Sequence, residues 1–297
     1  MQLADFLEFL SDNFIEKKEC KVNILRLDKI HPVISGNKYF KLKYYLEQAI
    51  KTHRESIVTF GGYYSNHLHA TAFACNTYGI KSVGYVRGEE PSQLNDTLKD
   101  CIKFGMELKF IPQSSFKEMQ QKLEIKSSNN VQIIPMGGHG ALGMKGASEI
   151  LNFEHAKEFD YIVAAAGTGT MGAGLLDKLE KHQQLVLIPA VKNNFSLKEE
   201  ILALHPALAA KEKQLKIHHE FHQGGFGKSN PVLLDKMNWF YNQHNIPTDF
   251  VYTGKMIVGF YELLRANTFQ KKSKILLIHS GGMQGNRSLG TGSLIFQ

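Results

Sequence analysis

The sequence predicts an α/β fold with mostly parallel β-sheets, and three observations support this prediction. The chain has 297 residues, 43% of them hydrophobic, and can therefore bury a sizeable core in two lobes or in one large unit. Short β-rich runs alternate with amphipathic stretches, as expected of βαβ units. Glycine-rich turns follow three of these runs, at the position where parallel sheets bind ligands.

Seven runs are predicted to form strands because they are short and rich in β-branched and aromatic residues. In chain order they are residues 56–60, 82–86, 107–111, 131–135, 161–166, 185–189 and 274–279. Residues 94–104 and 116–126 are examples of the amphipathic helices predicted between them.

The domain organisation is predicted from interruptions of this pattern. An asparagine pair at 129–130 and a glycine pair at 137–138 indicate a hinge. We therefore predict a smaller lobe of residues 45–150 and a larger lobe formed by residues 1–44 and 151–297.

Composition predicts a cytoplasmic protein that does not cross a membrane. The first ten residues carry two acids and no basic segment, and the apolar runs are too short to span a bilayer. The cysteines Cys20, Cys75 and Cys101 lie far apart, which indicates reduced thiols rather than disulfides or a zinc site. The net charge of +7 comes from lysines interleaved with acids and gives no support to nucleic-acid binding. A phosphorylated cofactor or an anionic small substrate explains this charge equally well.

The first glycine-rich turn, F-G-G-Y-Y-S-N-H, leads from the first predicted strand into a predicted helix. Ser65, Asn66 and His67 begin that helix, where free backbone N–H groups and small polar side chains can bind an anion such as a carboxylate. Serine and asparagine are also favoured as ordinary helix caps, so an N-cap without a ligand explains the motif equally well.

The second turn, A-A-A-G-T-G-T-M-G-A-G, places Gly167, Gly169 and Gly172 in the spacing G-x-G-x-x-G. A dinucleotide-binding fold also requires an acidic residue at the end of the next strand, to hold the ribose. The next predicted strand ends without one. The loop therefore predicts a site for a single terminal phosphate, bound by backbone amides and by the hydroxyls of Thr168 and Thr170.

Three further motifs carry polar side chains at positions suited to a ligand site. V-Y-T-G-K contains Tyr252 and Thr253, and I-H-S-G-G places Ser280 after the last predicted strand. S-G-N-K places Lys38 directly after a Gly-Asn pair at the start of a predicted helix. Each motif alone is weak evidence, whereas all five in this order form a specific set.

In this order the motifs resemble those of the pyridoxal-phosphate enzymes of the tryptophan synthase β-subunit class, which is fold type II. Within that class the chain is similar to the family of 1-aminocyclopropane-1-carboxylate deaminase and D-cysteine desulfhydrase, from about Gly36 to Gly282. The resemblance implies two three-layer αβα lobes, with pyridoxal 5′-phosphate in the cleft between them and the larger lobe binding it. It also implies a homodimer that acts on a small amino acid.

The resemblance assigns the cofactor to particular residues. Lys38 is implied to carry it covalently, and the helix N-terminus supports this role because the helix dipole disfavours an ammonium and so favours a neutral, nucleophilic amine. Lys41 and Lys43 are then expected to be surface lysines of the same helix. The other implied cofactor contacts are Asn66 at the ring hydroxyl, Ser280 at the pyridine nitrogen, and Gly167, Thr168, Gly169 and Thr170 at the phosphate.

The resemblance also implies a substrate site. The substrate carboxylate is expected at the S-N-H motif, that is, at Ser65, Asn66 and His67. Tyr252 is expected near the substrate amine and sulfur, as an acid, a base or a thiolate partner, with Thr253 beside it. The implied catalytic residues are Lys38, Tyr252 and Ser65.

Two residues favour one branch of this family. Its cyclopropane deaminases typically carry glutamate at the position of Thr253 and leucine at that of Ser280, whereas its desulfhydrases carry small hydroxyl residues at both, as here. A hydroxyl at the ring nitrogen does not enforce a protonated ring, which favours loss of a β-leaving group over transamination. We therefore predict β-elimination from a small D-amino acid such as D-cysteine, giving a keto acid, ammonia and sulfide. Tyr64 replaces a common glutamine and alters the expected carboxylate pocket.

Three alternatives remain beside this prediction. The nearest is 1-aminocyclopropane-1-carboxylate deaminase, which opens the ring to give 2-oxobutanoate and ammonia. A protein that binds pyridoxal phosphate without turnover is an alternative of another class. A zinc site is the third, since His218, Glu220 and His222 would share one face if residues 216–222 formed a strand. Nothing nearby in the sequence supplies a base to activate water, and we predict no metal.

Overall fold

The computed structural model describes residues 2–125 and 130–297, and in these residues ten strands form two sheets. The strands are β1 Leu7–Leu10, β2 Lys21–Arg26, β3 Ser56–Gly61, β4 Lys81–Arg87, β5 Met106–Ile111, β6 Val131–Ile134, β7 Tyr161–Ala166, β8 Gln184–Pro189, β9 Leu215–Ile217 and β10 Lys274–His279. The larger sheet has the order β1-β2-β10-β7-β8-β9, and β1 is its antiparallel edge. The smaller sheet has the order β5-β4-β3-β6 and is parallel throughout.

Ten α-helices in the described residues pack against these sheets. They are α1 Asn13–Lys17, α2 Asn37–Lys51, α3 Asn66–Thr77, α4 Asp96–Lys103, α5 Phe116–Ile125, α6 Ala141–Ser148, α7 Thr170–Lys178, α8 Leu197–Leu202, α9 Pro231–His244 and α10 Thr253–Arg265. Small polar side chains begin several of them, because each accepts a hydrogen bond from an otherwise unpaired N–H three residues on: Ser65 for α3, Asn95 for α4 and Asn230 for α9. Of the helices described, none is both long and apolar enough to span a bilayer.

The larger sheet is covered on both faces. Every residue of β7, Y-I-V-A-A-A, is buried, as is every residue of β10 except the first. Alternate residues of β10 enter two different hydrophobic clusters: Leu276 and Ile278 pack with the residues of α7, and Ile275 and Leu277 with those of α10. The sheet is therefore the middle layer of an αβα sandwich, as expected of strands that are apolar throughout.

The predicted fold class, α/β with mostly parallel sheets, is confirmed. All seven predicted strands are present, and each end lies within one residue of its predicted position. The two example helices correspond to α4 and α5. Two residues of the predictions lie outside the described residues: Lys126, the predicted end of the second helix, and Asn129, part of the predicted hinge. The strands β1, β2 and β9 lie outside the predicted set.

The two sheets come from different parts of the chain. Strands in residues 56–134 form the smaller sheet, and strands in residues 7–26 and 161–279 form the larger one. Helix α2 runs without a break through the predicted lobe boundary at 44/45. The division into lobes at these particular residues stays a prediction.

Helices α2, α6 and α7 pack almost backbone to backbone, and glycines make this possible. A Cβ atom on Gly146 of α6 would lie 1.9 Å from the carbonyl oxygen of Phe40 in α2. A Cβ atom on Gly174 of α7 would lie 2.6 Å from the Cβ of Ala147 in α6. Because no side chain fits at either point, the three helices are held at a short, fixed separation, which also fixes the first turns of α2.

Replacing Gly146 with alanine should destabilise the protein, because the new methyl group overlaps the Phe40 carbonyl and must push α2 and α6 apart. We expect a loss of ~1–3 kcal/mol in the free energy of unfolding, the usual cost of overpacking. Urea unfolding followed by circular dichroism measures it. The control is Gly290→Ala, whose Cβ would meet only the Ser293 hydroxyl, at 3.7 Å. Equal midpoints for the two variants would disprove the close-contact role of Gly146.

Candidate active site

Two adjoining cavities, both open to solvent, lie where the larger sheet meets the starts of α2, α3 and α10. Four residues line both cavities: Asn37, Lys38, Tyr252 and Ser280. The first cavity extends toward Asn66 on α3, and the second toward the glycine turn between β7 and α7. The sequence motifs around Lys38, Tyr252 and Ser280, which are far apart in the chain, therefore meet at one point.

Lys38 is placed by a backbone contact between the start of α2 and the end of β10. The Asn37 N–H donates a hydrogen bond to the Ser280 carbonyl (3.1 Å). Gly36, with φ of +66°, allows this approach, since a Cβ there would lie 1.9 Å from the same carbonyl oxygen. The Lys38 Nζ then donates to the Asn37 side-chain oxygen (2.8 Å). Burial lowers the pKa of Lys38 to about 8, with the charge of Asp249 opposing the shift.

Lys41 is not the surface lysine that the sequence predicts. Its side chain is 3% exposed and lines the second cavity, one helical turn after Lys38 on the same face of α2. Burial, together with the charge of Lys38, holds the pKa of Lys41 well below its usual value. Lys43 fits the prediction better: it is partly exposed and pairs with Glu149 (2.8 Å).

The glycine turn after β7 forms one wall of the second cavity. Gly167, Thr168 and Gly169 line it, and Gly169 has the left-handed φ of +74° that starts α7. Thr170 is fully buried below them, where its hydroxyl lies 3.0 Å from His139 Nδ1. The turn thus presents backbone and the start of a helix to the cavity, opposite the Lys41 amine, an arrangement suited to a phosphate.

The S-N-H motif at the start of α3 is only partly directed at the cavities. Asn66 lines the first cavity, and its Oδ1 is buried without a hydrogen-bond partner among the described residues. The Ser65 hydroxyl oxygen accepts from the Leu68 N–H (3.2 Å), as an ordinary cap does. His67 is buried and lines neither cavity; its Nε2 faces the Thr59 hydroxyl at 2.7 Å. The role of Ser65 and His67 toward a substrate carboxylate stays a prediction.

A buried carboxylate, which no sequence motif indicates, fixes the start of α10. Asp249 accepts hydrogen bonds from the N–H groups of Val251, Tyr252 and Thr253 and from the Thr253 hydroxyl, at 2.7–2.9 Å. The Thr253 hydroxyl accepts in turn from the Asp249 N–H (2.7 Å). Thr253 is therefore fully buried and engaged with Asp249, and it lines neither cavity, which does not support the predicted substrate contact.

Tyr252 faces the cavities with a protonated hydroxyl. A Cβ on Gly167 would lie 3.1 Å from its ring, so the ring stands close to the glycine turn. Burial and the nearby Asp249 carboxylate raise the pKa of Tyr252 above its usual value. The hydroxyl can therefore act as a proton donor near neutral pH and is not a ready base.

Ser280 is held by a chain of buried charges behind β10. The ring of His279 lies between the Asp28 carboxylate (3.1 Å) and the Pro247 carbonyl (2.8 Å), and Arg26 pairs with Asp28 (2.6 Å). Burial alone would raise the pKa of Asp28, but the charges of His279 and Arg26 outweigh burial and lower it. The chain fixes the end of β10, so the Ser280 hydroxyl enters the cleft from a rigid support.

The structure does not support a zinc site at His218, Glu220 and His222. Residues 216–222 do not form a strand, since β9 ends at Ile217 and His219–Phe221 is a 3-10 turn. His218 Nδ1 pairs with Glu220 (3.1 Å), whereas His222 Nδ1 accepts from the Gly224 N–H. Within residues 2–125 and 130–297, no group of three or more His, Cys, Asp or Glu side chains is arranged to hold a metal ion.

Sequence reasoning missed four residues of the site: Asn37, Lys41, Asp249 and Gln284, of which Asn37 lines both cavities and Gln284 the first. Lys41 could have been found, because a spacing of three from Lys38 puts both on one helix face. Asp249, three residues before Tyr252, matches a helix cap, a pattern that does not by itself indicate function. Gln284 gives no signal in the sequence.

Comparison with known proteins identifies similar chains. A sequence profile described as "Pyridoxal-phosphate dependent enzyme" matches residues 10–281. A Thermotoga maritima protein provisionally named 1-aminocyclopropane-1-carboxylate deaminase is 29% identical over 95% of this chain and 94% of its own. A D-cysteine desulfhydrase of Klebsiella pneumoniae is 26% identical over 94% of this chain and 90% of its own. The crystal structure of an "ACC deaminase homologue" has a TM-score of 0.78 at 26% identity, covering 94% of this chain and 90% of that one.

Covalent attachment of pyridoxal 5′-phosphate to the cofactor-free protein should accelerate as the pH rises through about 8. Only a neutral amine attacks an aldehyde, and burial lowers the pKa of Lys38 to about 8 from the 10.5 of a free lysine. The rate of cofactor incorporation, measured at intervals between about pH 6 and pH 11, tests this. Lys38→Ala should incorporate none after reduction with borohydride. A midpoint near that of a free lysine would contradict the assignment.

Lys41→Ala should keep the covalent link at Lys38 but bind the phosphate less tightly. Losing a hydrogen bond from a charged group costs ~1.5–3 kcal/mol, which corresponds to a weakening of about 10- to 100-fold. Equilibrium titrations with pyridoxal 5′-phosphate and with pyridoxal, which lacks the phosphate, separate the effects, because only the first should weaken. Lys43→Ala, on the same helix but paired with Glu149, is the control. Equal weakening for both compounds would show that Lys41 does not contact the phosphate.

Proposed function

The chain belongs to the family of pyridoxal-phosphate dependent enzymes, and we propose that it catalyses β-elimination from a small D-amino acid, with D-cysteine as the best candidate. Its fold is fold type II and its cofactor is pyridoxal 5′-phosphate. The proposed reaction converts D-cysteine and water into pyruvate, ammonia and hydrogen sulfide. The observation that carries the proposal is that an amine of lowered pKa (Lys38), a protonated phenol (Tyr252) and a neutral alcohol (Ser280) line both cavities.

The residues of the cleft fit the cofactor. Lys41 and the turn 167–169 offer an amine donor and backbone amides suited to a phosphate. The buried Oδ1 of Asn66 lacks a partner among the described residues and suits a donor such as a ring hydroxyl. Lys38 adjoins both groups, because it lines both cavities. A ring with a phosphate at one end and a hydroxyl at its side therefore matches the available partners.

The proposed roles follow from the protonation states of the side chains. When bound, pyridoxal 5′-phosphate supplies the electron sink that stabilises negative charge on the substrate α-carbon. Lys38 Nζ takes the α-proton, since its lowered pKa leaves a useful fraction of neutral amine near neutral pH. Tyr252, whose raised pKa keeps the phenol protonated, donates a proton to the departing sulfur, which leaves as hydrogen sulfide.

Ser280 is the residue that favours elimination. With the cofactor bound, the Ser280 hydroxyl would be the partner of the ring nitrogen; unlike a carboxylate, it would not hold a proton there, which would leave a weaker electron sink. Asp249, a buried carboxylate nearby, is fully engaged by the start of α10. A modest electron sink is sufficient when a good leaving group departs from the β-carbon, whereas transamination requires the charge to be held for longer.

The second candidate is opening of 1-aminocyclopropane-1-carboxylate to 2-oxobutanoate and ammonia. The name of the Thermotoga maritima relative and the description of the similar crystal structure favour it. The D-cysteine desulfhydrase relative and the hydroxyl at position 280 favour elimination. A binding protein without turnover has less support, because the family and its named relatives are enzymes and because a base and a proton donor line the same cavities.

The oligomeric state and the cellular location are also part of this proposal. We propose a homodimer, as the family resemblance implies, and a cytoplasmic location, supported by the free, buried thiols of Cys20, Cys75 and Cys101. The division into a lobe of residues 45–150 and a cofactor-binding lobe of residues 1–44 and 151–297 is supported by the origin of the two sheets.

Wild-type protein should release pyruvate and sulfide from D-cysteine, act on β-chloro-D-alanine, and barely open 1-aminocyclopropane-1-carboxylate. The variant Thr253→Glu/Ser280→Leu should lose elimination by at least ~100-fold, because it removes the ring-nitrogen partner and forces a carboxylate against Asp249. Keto acid release from a panel of D- and L-amino acids measures both.

The matched control carries the same two changes at exposed sites, Thr268→Glu/Ser288→Leu, and should keep wild-type activity. A higher kcat/KM for 1-aminocyclopropane-1-carboxylate than for any D-amino acid would overturn the elimination proposal and favour the second candidate. Failure to turn over any compound of the panel, with cofactor bound, would favour the protein without turnover.

A further inference from the structure

Lys255 is a buried lysine that the proposed mechanism does not use. It is the third residue of α10, its side chain is 0% exposed, and its Nζ donates a short hydrogen bond to the Gly225 carbonyl, the one acceptor found for it in the described part of the chain. Burial lowers its pKa to about 8. A protonated amine is destabilised both by the dipole at a helix N-terminus and by removal from water. We therefore expect Lys255 to have a role that compensates for this cost.

The Gly225 carbonyl belongs to a loop, residues 222–228, that cannot hold its own shape well. Four of its residues have positive φ angles: Gln223, Gly224, Gly225 and Gly227. Its internal backbone hydrogen bonds run from Gly225 N–H to His222 (3.0 Å) and from Lys228 N–H to Gly225 (3.2 Å). Glycine-rich backbone of this kind has many alternative conformations, so an outside contact must select one.

The loop places Phe226 against the active-site tyrosine. The two rings meet edge to face, with 5.9 Å between the centres of Phe226 and Tyr252, while Phe226 stays 52% exposed. The Tyr252 ring also stands close to Gly167. The tyrosine is thus in contact with both the glycine turn after β7 and the loop 222–228. Because the Phe226–Tyr252 ring contact is apolar, a hydrogen bond from α10 fixes the loop more precisely.

We propose that Lys255 is a positioning residue: by bonding the Gly225 carbonyl it anchors the loop 222–228 to α10, and so keeps Phe226 packed on Tyr252. Lys255 and Tyr252 leave the same first turn of α10, so one rigid element carries both the anchor and the tyrosine. Gly225 also packs closely on Lys192, since a Cβ on Gly225 would lie 3.1 Å from the Lys192 Cβ. The loop therefore contacts both Lys255 and Lys192, and its Phe226 packs on Tyr252.

The first test is backbone hydrogen exchange in the protein without substrate, which does not depend on any activity. Lys255→Met keeps the length of the side chain but removes the donor. The amides of Gly225 and Lys228 should then exchange about tenfold faster or more, the ratio expected for loss of a hydrogen bond from a charged group. The control is Lys236→Met: Lys236 is only partly buried but likewise has a pKa of about 8, and its amine lies 3.4 Å over the Trp239 ring.

The second test is a double-mutant cycle on turnover, and this arm rests on the proposed function. If Lys255 acts through Phe226, then Lys255→Met and Phe226→Ala should each lower kcat/KM, and the double variant should be no worse than Phe226→Ala alone. A lysine that only stabilises the fold would give additive losses and a lowered melting temperature. Because the exchange arm needs no turnover, a failed function assignment leaves it intact.

Phe226→Ala provides an exchange measurement that does not depend on the folding of the lysine variant. With Lys255 in place, the Gly225 and Lys228 amides should stay protected even though the aromatic contact is gone. Loss of protection in Phe226→Ala, unchanged exchange in Lys255→Met, or additive losses in the cycle would each overturn the proposal. Fast exchange in Lys255→Met with protection kept in Phe226→Ala and Lys236→Met would support it.

Discussion

The contact on which the rest of the site depends is the backbone approach of the start of α2 to the end of β10. The Ser280 carbonyl accepts from the Asn37 N–H, and the absence of a side chain at Gly36 brings the two segments together. Lys38 and Ser280, which are more than two hundred residues apart in sequence, are therefore parts of one rigid unit. The buried chain behind His279 and the glycine contacts of α2 with α6 support that unit from either side. Lys38 and Ser280 are thus held at a fixed separation. Such a rigid pair suits a cofactor that stays bound better than a substrate that comes and goes.

The electrostatics of the cleft follow from burying amines with few acids beside them. Lys38, Lys41 and Lys255 are all desolvated, and Asp249 is the buried carboxylate that opposes the pKa shifts of Lys38 and Lys255. Such a region favours anions, and a phosphate near Lys41 would restore the charge that burial removes. The same desolvation makes Lys38 a nucleophile and keeps Tyr252 protonated. One physical cause, removal of water, thus shifts the pKa values of the two residues proposed to move protons in opposite directions.

The sequence was sufficient for seven of the ten described strands and insufficient for β1, β2 and β9 and for burial. Of these three, β2 is an inner strand, but its sequence, K-V-N-I-L-R, is polar at three of six positions. Strands β7 and β10 are mostly apolar because helices cover both faces, so 161–166 and 274–279 could be read directly, whereas β1 and β9 are short edge strands with mixed composition. Within the site, the motifs predict Lys38, Tyr252 and Ser280 as separate candidates. That these three residues meet depends on the crossover connections of the larger sheet, which a local sequence pattern does not reveal. Tertiary packing likewise decides whether a polar side chain lines a cavity or caps a helix. Because the sequence does not show this packing, it predicts Lys41 on the surface.

Thr253 affects the site indirectly, through the neighbouring side chain of Asp249. The hydroxyl at this position does not enter the cleft; it bonds Asp249, and Asp249 in turn holds the backbone N–H of Tyr252. A residue at 253 that lacks this hydroxyl therefore loses a bond to the carboxylate that positions Tyr252. A glutamate would set a second carboxylate beside the first in a buried space, raising the pKa of one of the pair and supplying a proton that threonine cannot. Residue 253 thus bears on the choice between the two proposed reactions through the acid strength available around Tyr252, without a direct contact to the substrate.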